Sequence, residues 1–119
     1  VVHSPGDRGT DSWYNRAGSS YGYANRHATE GKPMMIRPNG RGLTAGEILE
    51  PSRQLAAFEV GAWLMAAFGA DRLSPRDYWY SRPGANAFCV LFADGSSRFI
   101  EIESGQLAAS AYSFLSTAR

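Results

Sequence analysis

Apolar residues recur at helical spacing through residues 51–68, the longest patterned stretch of the chain. Pro51 suits the first turn of a helix, and Gly69 suits a left-handed C-terminal cap. One stripe of this surface is apolar throughout, and it consists of Leu55, Phe58, Ala62, Met65 and Ala66. Further apolar residues widen the stripe, which is typical of a helix buried on more than one side. The pattern predicts a central helix over 51–68, with Glu59 facing solvent.

Three strands are predicted after this helix, at 77–81, 87–92 and 98–103. The first is rich in aromatic residues, the second is continuously apolar, and the third alternates as a half-exposed strand does. A last helix is predicted from Gln106 to about Thr117. The expected fold is therefore α+β. It has a three- to four-stranded antiparallel sheet, a central helix before the sheet and a C-terminal helix after it.

The Asp94-Gly95 pair between the second and third strands is the strongest short hairpin signal in the chain. A two-residue loop there fixes the register, because side chains alternate between the faces of a strand. In that register Cys89 is buried against Ile100. The other face then gathers four large apolar side chains: Phe88, Val90, Phe92 and Phe99.

Such an apolar patch predicts an interface or a ligand groove. Closed dimers are the commonest soluble assemblies, so the expected partner is an identical chain. Two other parts of the chain compete with a second copy to cover this patch: the predicted C-terminal helix and the N-terminal part. Residues 1–31 have no apolar period and are rich in Gly, Ser, Asn and Tyr. They predict an irregular arm packed on a single domain that spans 32–119.

Composition narrows the class of protein only slightly. The chain has the length of one domain, and no apolar stretch approaches the length of a membrane-spanning helix. With one cysteine and no signal peptide at its start, it is expected to be soluble and cytoplasmic. One cysteine also excludes an internal disulfide, and no cofactor or metal site is expected.

Charge is spread unevenly along the chain, although the net charge is only +1. Residues 1–41 carry six basic and three acidic side chains, whereas residues 42–119 carry six basic and eight acidic ones. Nucleic-acid modules usually have a much stronger basic footprint. The asymmetry therefore permits a nucleic-acid partner without arguing for one.

The candidate ligand site is built from aromatic residues of the predicted sheet. Tyr78, Trp79 and Tyr80, next to the carboxylate of Glu101, would form a cage for a cationic amine or a flat aromatic ligand. The alternative is that the tyrosines belong to the core and the tryptophan covers its rim. The full candidate set adds residues from the arm and from the apolar face: Trp13, Phe88 and Phe99.

These features favour a non-enzymatic binding or interaction module. The alternative is a small metal-independent ribonuclease, with Arg26, His27, Glu30 or Arg37 around the scissile phosphate. The predicted helix and short antiparallel sheet resemble small bacterial ribonuclease toxins at the level of architecture. A single histidine in a polar segment is nevertheless more typical of a surface residue than of a catalytic base.

Overall fold

An antiparallel sheet, with strand order β1-β2-β3-β4, forms the centre of the molecule in a computed structural model. The structure describes residues 4–8, 21–23, 45–82 and 84–115. The strands are β1 (Tyr21–Tyr23), β2 (Leu55–Glu59), β3 (Ala87–Phe92) and β4 (Ser97–Glu101). A helix, α1 (Val60–Phe68), follows β2, and short 3₁₀ turns occupy Ala45–Glu47, Ala70–Arg72 and Pro75–Asp77. The α+β class is confirmed.

The predicted helix over 51–68 is wrong in its first half, where the chain forms β2. A bulge between Leu55 and Ala57 explains why the pattern looked helical. The extra residue shifts the alternation of faces, so Leu55 and Phe58 both point into the core although they are three residues apart. This spacing in a sequence matches one turn of helix. The second half is helical as predicted, and Gly69 ends it at a φ of +94°.

The predicted strand at 77–81 is also wrong, because a capped turn precedes it and bends follow. The carboxylate of Asp77 accepts hydrogen bonds from the amide of Ser74 at 2.8 Å and from its hydroxyl at 3.2 Å. The amide of Asp77 donates to the carbonyl of Ser74 at 2.9 Å. These bonds hold the chain in a turn. The fourth strand is instead Tyr21–Tyr23, which lies in the part predicted to be irregular.

The β3–β4 hairpin turns at the predicted place, but its loop has three residues. The amide of Phe92 donates to the carbonyl of Ser96 at 2.8 Å, and Gly95 adopts a φ of +87°. The carboxylate of Asp94 accepts from the amide of Ser96 at 2.8 Å and from its hydroxyl at 2.6 Å. These side-chain bonds favour a loop one residue longer than the dipeptide signal predicts.

The longer loop corrects the predicted register by one residue. Cys89 pairs with Phe99 and is only half-buried, and Phe88 pairs with Ile100. A one-residue change moves a strand's side chains to the other face relative to its partner. Phe99 therefore lies on the opposite face from Phe88, and the predicted four-residue apolar patch does not form.

The predicted C-terminal helix does not form within the described residues, which end at Leu115. Backbone bonds there run to β2 and across an irregular hairpin instead. Ser113 donates to the carbonyl of Arg53 at 2.8 Å and accepts from the amide of Leu55 at 3.0 Å. The amide of Phe114 donates to the carbonyl of Leu107 at 2.8 Å. This segment brings its aromatic residues onto the sheet without helical geometry.

The hydrophobic core lies on one face of the sheet, called here the inner face. It is closed by α1 and by the C-terminal segment, whose Phe114 ring meets the Phe58 ring edge-on at a centroid distance of 4.9 Å. The buried residues of this core are Leu55, Phe58, Ala62, Met65, Ala66, Phe88, Val90, Phe92, Ile102, Tyr112 and Phe114. The chain's own residues therefore cover the face on which the sequence predicted a partner.

Candidate functional site

The aromatic residues at 78–80 follow the capped turn and enter different surroundings. Tyr78 stacks on the buried ring of Phe88, with centroids 5.8 Å apart and planes at 26°. Trp79 meets Tyr21 of β1 edge to face, with centroids 5.8 Å apart and planes at 87°. The segment therefore joins the core on one side and the edge strand on the other.

The N-terminal segment 4–8 packs against these aromatic residues. Ser4 is buried, and its hydroxyl shares a hydrogen bond of 2.7 Å with the hydroxyl of Tyr80. Gly6 lies against Trp79, where an added Cβ would be 2.5 Å from the Cβ of the tryptophan. This contact requires glycine at position 6. Two segments distant in sequence thus form one surface.

An open cleft of about 430 Å³ lies between these two segments. Its lining contains three aromatic residues, two arginines and a Pro-Gly pair: Pro5, Gly6, Arg8, Arg76, Tyr78, Trp79 and Tyr80. The volume is in the range of small-molecule sites in proteins. No acidic side chain is among the described lining residues, so the charged groups that they bring to the cleft are the two guanidinium groups. The buried carboxyls of Asp7 and Asp77 lie next to Arg8 and Arg76 in the sequence.

The cleft offers two kinds of contact to a ligand. Its aromatic rings provide surfaces on which a flat ring stacks. Arg8 and Arg76 supply guanidinium groups, which pair with carboxylate, sulfonate or phosphate oxygens through charge-assisted hydrogen bonds. The Nε of Arg8 donates to the carbonyl of Pro5 at 2.9 Å, which ties this side chain to the segment that forms the cleft.

The predicted ligand residues are only partly brought together. Tyr78, Trp79 and Tyr80 line the cleft, whereas Phe88 is fully buried and Phe99 lies half-exposed on β4. Glu101 lies on β4 and borders a different cleft, together with Glu103. The aromatic residues therefore meet arginines where the sequence predicted a carboxylate. Other candidates fall outside the described residues: Trp13, Arg26, His27, Glu30 and Arg37.

A buried carboxyl lies on the second face of the sheet, called here the outer face. Glu59 is 1% exposed, although the sequence predicted it to face solvent. It pairs with Tyr21 across β1 and β2, and it lies beside Cys89 of β3. Within the described part of the chain, neither carboxyl oxygen has a hydrogen-bond partner.

This burial changes the acidity of the group. Desolvation raises the pKa of Glu59 to about 7. The backbone amide and the thiol of Cys89 lie close enough to lower that pKa by a smaller amount, but neither has the geometry of a hydrogen bond. Glu59 therefore changes its protonation state near neutral pH.

Trp79 also has a buried polar group that lacks a hydrogen-bond partner within the described residues. Its Nε1 is buried and, among the residues that the structure describes, has no acceptor. A buried indole N–H usually finds a hydrogen-bond partner. Tyr21 contacts Trp79 and pairs with Glu59. Within the described residues it therefore lies between a carboxyl that has no hydrogen-bond donor and an indole N–H that has no acceptor.

Three residues of this region were not identified from the sequence. Arg8 and Arg76 carry no local signal, because only the fold brings their segments together. Glu59 did carry a signal in the sequence, because it is the single charged residue between 54 and 70. A lone acid within an apolar run indicates either a solvent-facing position or a buried carboxyl, and the helical interpretation selected the first.

Several kinds of site find no support in the residues that the structure describes. They contain no group of three or more His, Cys, Asp or Glu side chains arranged to hold a metal ion. Cys89, the only cysteine of the chain, is a free thiol. None of the described helices combines the length and the hydropathy needed to cross a bilayer.

Comparisons with known proteins identify no relative. No family model matches the sequence, and no curated protein and no solved structure matches it. A fold alone does not determine a function, because unrelated functions share folds. A proposal for the function of this protein therefore rests on the chemistry of the cleft.

Proposed function

We propose that this protein is a non-enzymatic binding module for a small, flat aromatic anion. The cleft carries this proposal, because it combines the aromatic residues at 78–80 with Arg8 and Arg76, and no acidic side chain is among the described residues that line it. An aromatic ligand without charge would leave the guanidinium groups unused. A cation would be repelled by them.

Binding fits the cleft better than catalysis does. General acid-base catalysis uses a His, Asp, Glu, Lys, Cys or Tyr side chain within reach of the reacting atoms. Of these types the described lining residues include only tyrosine, and both tyrosines are engaged: Tyr78 stacks on Phe88, and Tyr80 shares a hydrogen bond with Ser4. The ribonuclease alternative depends on residues outside the described part of the chain and stays a prediction.

Calorimetric titration with three probes tests the ligand class. Naphthalenesulfonate carries both the flat ring and the anion, naphthalenemethanol carries the ring alone, and methanesulfonate carries the anion alone. We expect the first to bind at least about tenfold more tightly than either of the others, because it alone uses both kinds of contact. Equal affinities for naphthalenesulfonate and naphthalenemethanol would refute a site for anions.

Substitution of the arginines locates the site. Arg76→Gln and Arg8→Gln should each weaken naphthalenesulfonate binding by about tenfold, since each removes one charge-assisted contact. Arg72→Gln is the matched control, because Arg72 is exposed, lies over the ring of Phe68 and does not line the cleft. The same loss in all three variants would place binding elsewhere.

Self-association remains a second proposal. The face that the sequence predicted for it is covered by the chain itself, but Leu91 and Phe99 on the outer face are 39% and 50% exposed. Two such side chains on one face favour contact with a second copy. Sedimentation at micromolar concentration should then show a dimer that Phe99→Ser dissociates, and a wild-type monomer contradicts this proposal.

A further inference from the structure

A continuous set of contacts leads from the buried carboxyl to the cleft. Glu59 pairs with Tyr21 in the edge strand, and the Tyr21 ring packs edge to face on Trp79. Trp79 forms part of the cleft wall. A change at Glu59 therefore reaches the cleft through one intervening side chain.

We propose that protonation of Glu59 controls the position of Trp79 in the cleft wall. The consequence for ligand affinity rests on the proposed function, whereas the control of Trp79 does not.

The first step of the argument is the cost of ionising Glu59 in place. Burying a neutral carboxylic acid costs much less free energy than burying a carboxylate, because a carboxylate needs hydrogen-bond donors or water. Neither oxygen of Glu59 has such a donor in the described part of the chain. Ionisation therefore favours a rearrangement that supplies one.

The second step concerns which groups can respond. The indole N–H of Trp79 is a buried donor without an acceptor among the described residues, and Tyr21 separates it from Glu59. Tyr21 belongs to a three-residue strand at the edge of the sheet, with β2 as its neighbour. Short edge strands yield more easily than central ones, because they have fewer backbone bonds and contacts. Tyr21 and Trp79 are therefore the groups expected to move.

Among the described residues, the titratable groups around Glu59 stabilise its charge only weakly, because the thiol of Cys89 lowers its pKa by less than desolvation raises it. β3 contributes the thiol of Cys89, β1 contributes the hydroxyl of Tyr21, and β4 contributes the exposed carboxyl of Glu101 on the same face. The turn before Trp79 contributes Asp77, whose carboxylate is bonded to Ser74. α1, which begins directly after Glu59, contains no charged residue. None of these groups is a cation.

The direction of the effect on binding follows from charge and position together. At low pH Glu59 is neutral and the cleft has the form described above. At high pH the carboxylate adds a negative charge near the cleft, and Trp79 leaves its position in the wall. Both changes weaken the binding of an anion, and we expect at least about a fivefold loss of affinity, at the lower end of typical coupling between sites.

The direct test follows Trp79 by fluorescence without any ligand. The spectrum of the Trp79→Phe variant is subtracted from that of the wild type, which removes the signals of Trp13 and Trp63. Between about pH 5.5 and pH 8.5 the difference should show one transition with a midpoint near 7, as expected for Glu59. In Glu59→Gln the new side chain is neutral and nearly isosteric, so this variant should fold. Far-ultraviolet circular dichroism checks the fold. The substitution should abolish the transition.

The second measurement repeats the titration with naphthalenesulfonate by calorimetry across the same range. The charge of this probe is constant there, so any change in affinity belongs to the protein. Wild-type affinity should fall as pH rises, and Glu59→Gln should keep the low-pH affinity throughout. A pH-dependence that is the same in both proteins contradicts the coupling to binding.

Two outcomes overturn the proposal, and one separates it from the proposed function. A Trp79 signal that does not titrate overturns it, as does a transition that survives Glu59→Gln. If naphthalenesulfonate binds at no pH, the proposed function fails. The fluorescence then decides alone: a transition removed by Glu59→Gln supports control of Trp79 by Glu59, and a flat signal refutes it.

Discussion

The two faces of the sheet differ in how completely their polar groups are satisfied. The inner face is mostly apolar and is closed by α1 and the C-terminal segment, and its Arg98 lies over the ring of Phe92. The outer face carries a row of four unlike side chains on neighbouring strands: Tyr21, Glu59, Cys89 and Phe99. Local rules for burial hold on the first face and fail at Glu59 on the second. Such failures often mark functional positions, because stability alone would remove them.

The largest expected difference between the faces concerns core packing. Phe58→Ala on the inner face should lower the free energy of unfolding by about 3–5 kcal/mol, because it removes a fully buried ring that packs on Phe114. Phe99→Ala on the outer face should cost less than about 1 kcal/mol, because that ring is half-exposed. Urea unfolding of both variants measures the difference. Equal losses would mean that the outer face is also a packed core.

The next effect is the dependence of stability on pH at Glu59. Its pKa is raised from 4.5 to about 7 on folding, so the folded state favours the protonated form. This contribution to stability is fully present below pH 4.5 and is lost as pH rises towards 7. We expect a loss of about 2–3 kcal/mol between about pH 5 and pH 8, reduced by any relaxation around the carboxylate. In Glu59→Gln, urea unfolding should show most of this loss removed.

A smaller effect is expected at Asp77, another buried carboxyl of this region. Unlike Glu59, it accepts two hydrogen bonds from Ser74, so it stabilises the turn that carries Tyr78–Tyr80. Asp77→Ala should cost about 1–2 kcal/mol, because the donors lose their acceptor. Asp77→Asn keeps one acceptor oxygen and should cost less. A gain in stability on Asp77→Ala would make the two carboxyl groups equivalent.

The smallest effect concerns the reactivity of Cys89. Burial raises the pKa of its thiol, and the negative charge of Glu59 raises it further. Because the thiolate is the reactive form, a thiol reagent should label Cys89 more slowly in the native protein than in urea. At about pH 8, Glu59→Gln should accelerate labelling of the native protein. An unchanged rate would indicate that access to the thiol, and not its ionisation, limits the reaction.

Burial could be predicted from the sequence more reliably than backbone conformation. Leu55, Phe58, Met65 and Phe88 are buried as the apolar pattern indicated, although the first two lie on a strand and not on a helix. Burial depends on which residues are apolar. The spacing at which apolar residues recur along the sequence also depends on irregularities such as bulges. A single inserted residue in β2 was enough to make a strand resemble a helix.

The register and the site depended on interactions that no local pattern contains. The bond between Asp94 and Ser96 lengthens the hairpin loop by one residue and so moves Phe99 to the outer face. The aromatic half of the cleft was identified at 78–80, but its charge was not. Arg8 lies far from those residues in the sequence and reaches them because its segment packs on them, through Gly6 on Trp79 and the hydrogen bond between Ser4 and Tyr80.

The attachment of Ser113 to the beginning of β2 has a consequence for the synthesis of the protein. The side chain of Gln54 reaches the carbonyl of Ser113 across 59 residues of sequence, and the amide of Leu55 donates to the same carbonyl. A ribosome adds about 5–20 residues each second, so β2 waits for several seconds before its last neighbour exists. During that interval β2, β3 and β4 form at most an open sheet that the C-terminal segment does not yet cover. Its inner face then lacks Tyr112 and Phe114, and nascent chains paused before these residues should be the ones that chaperones bind.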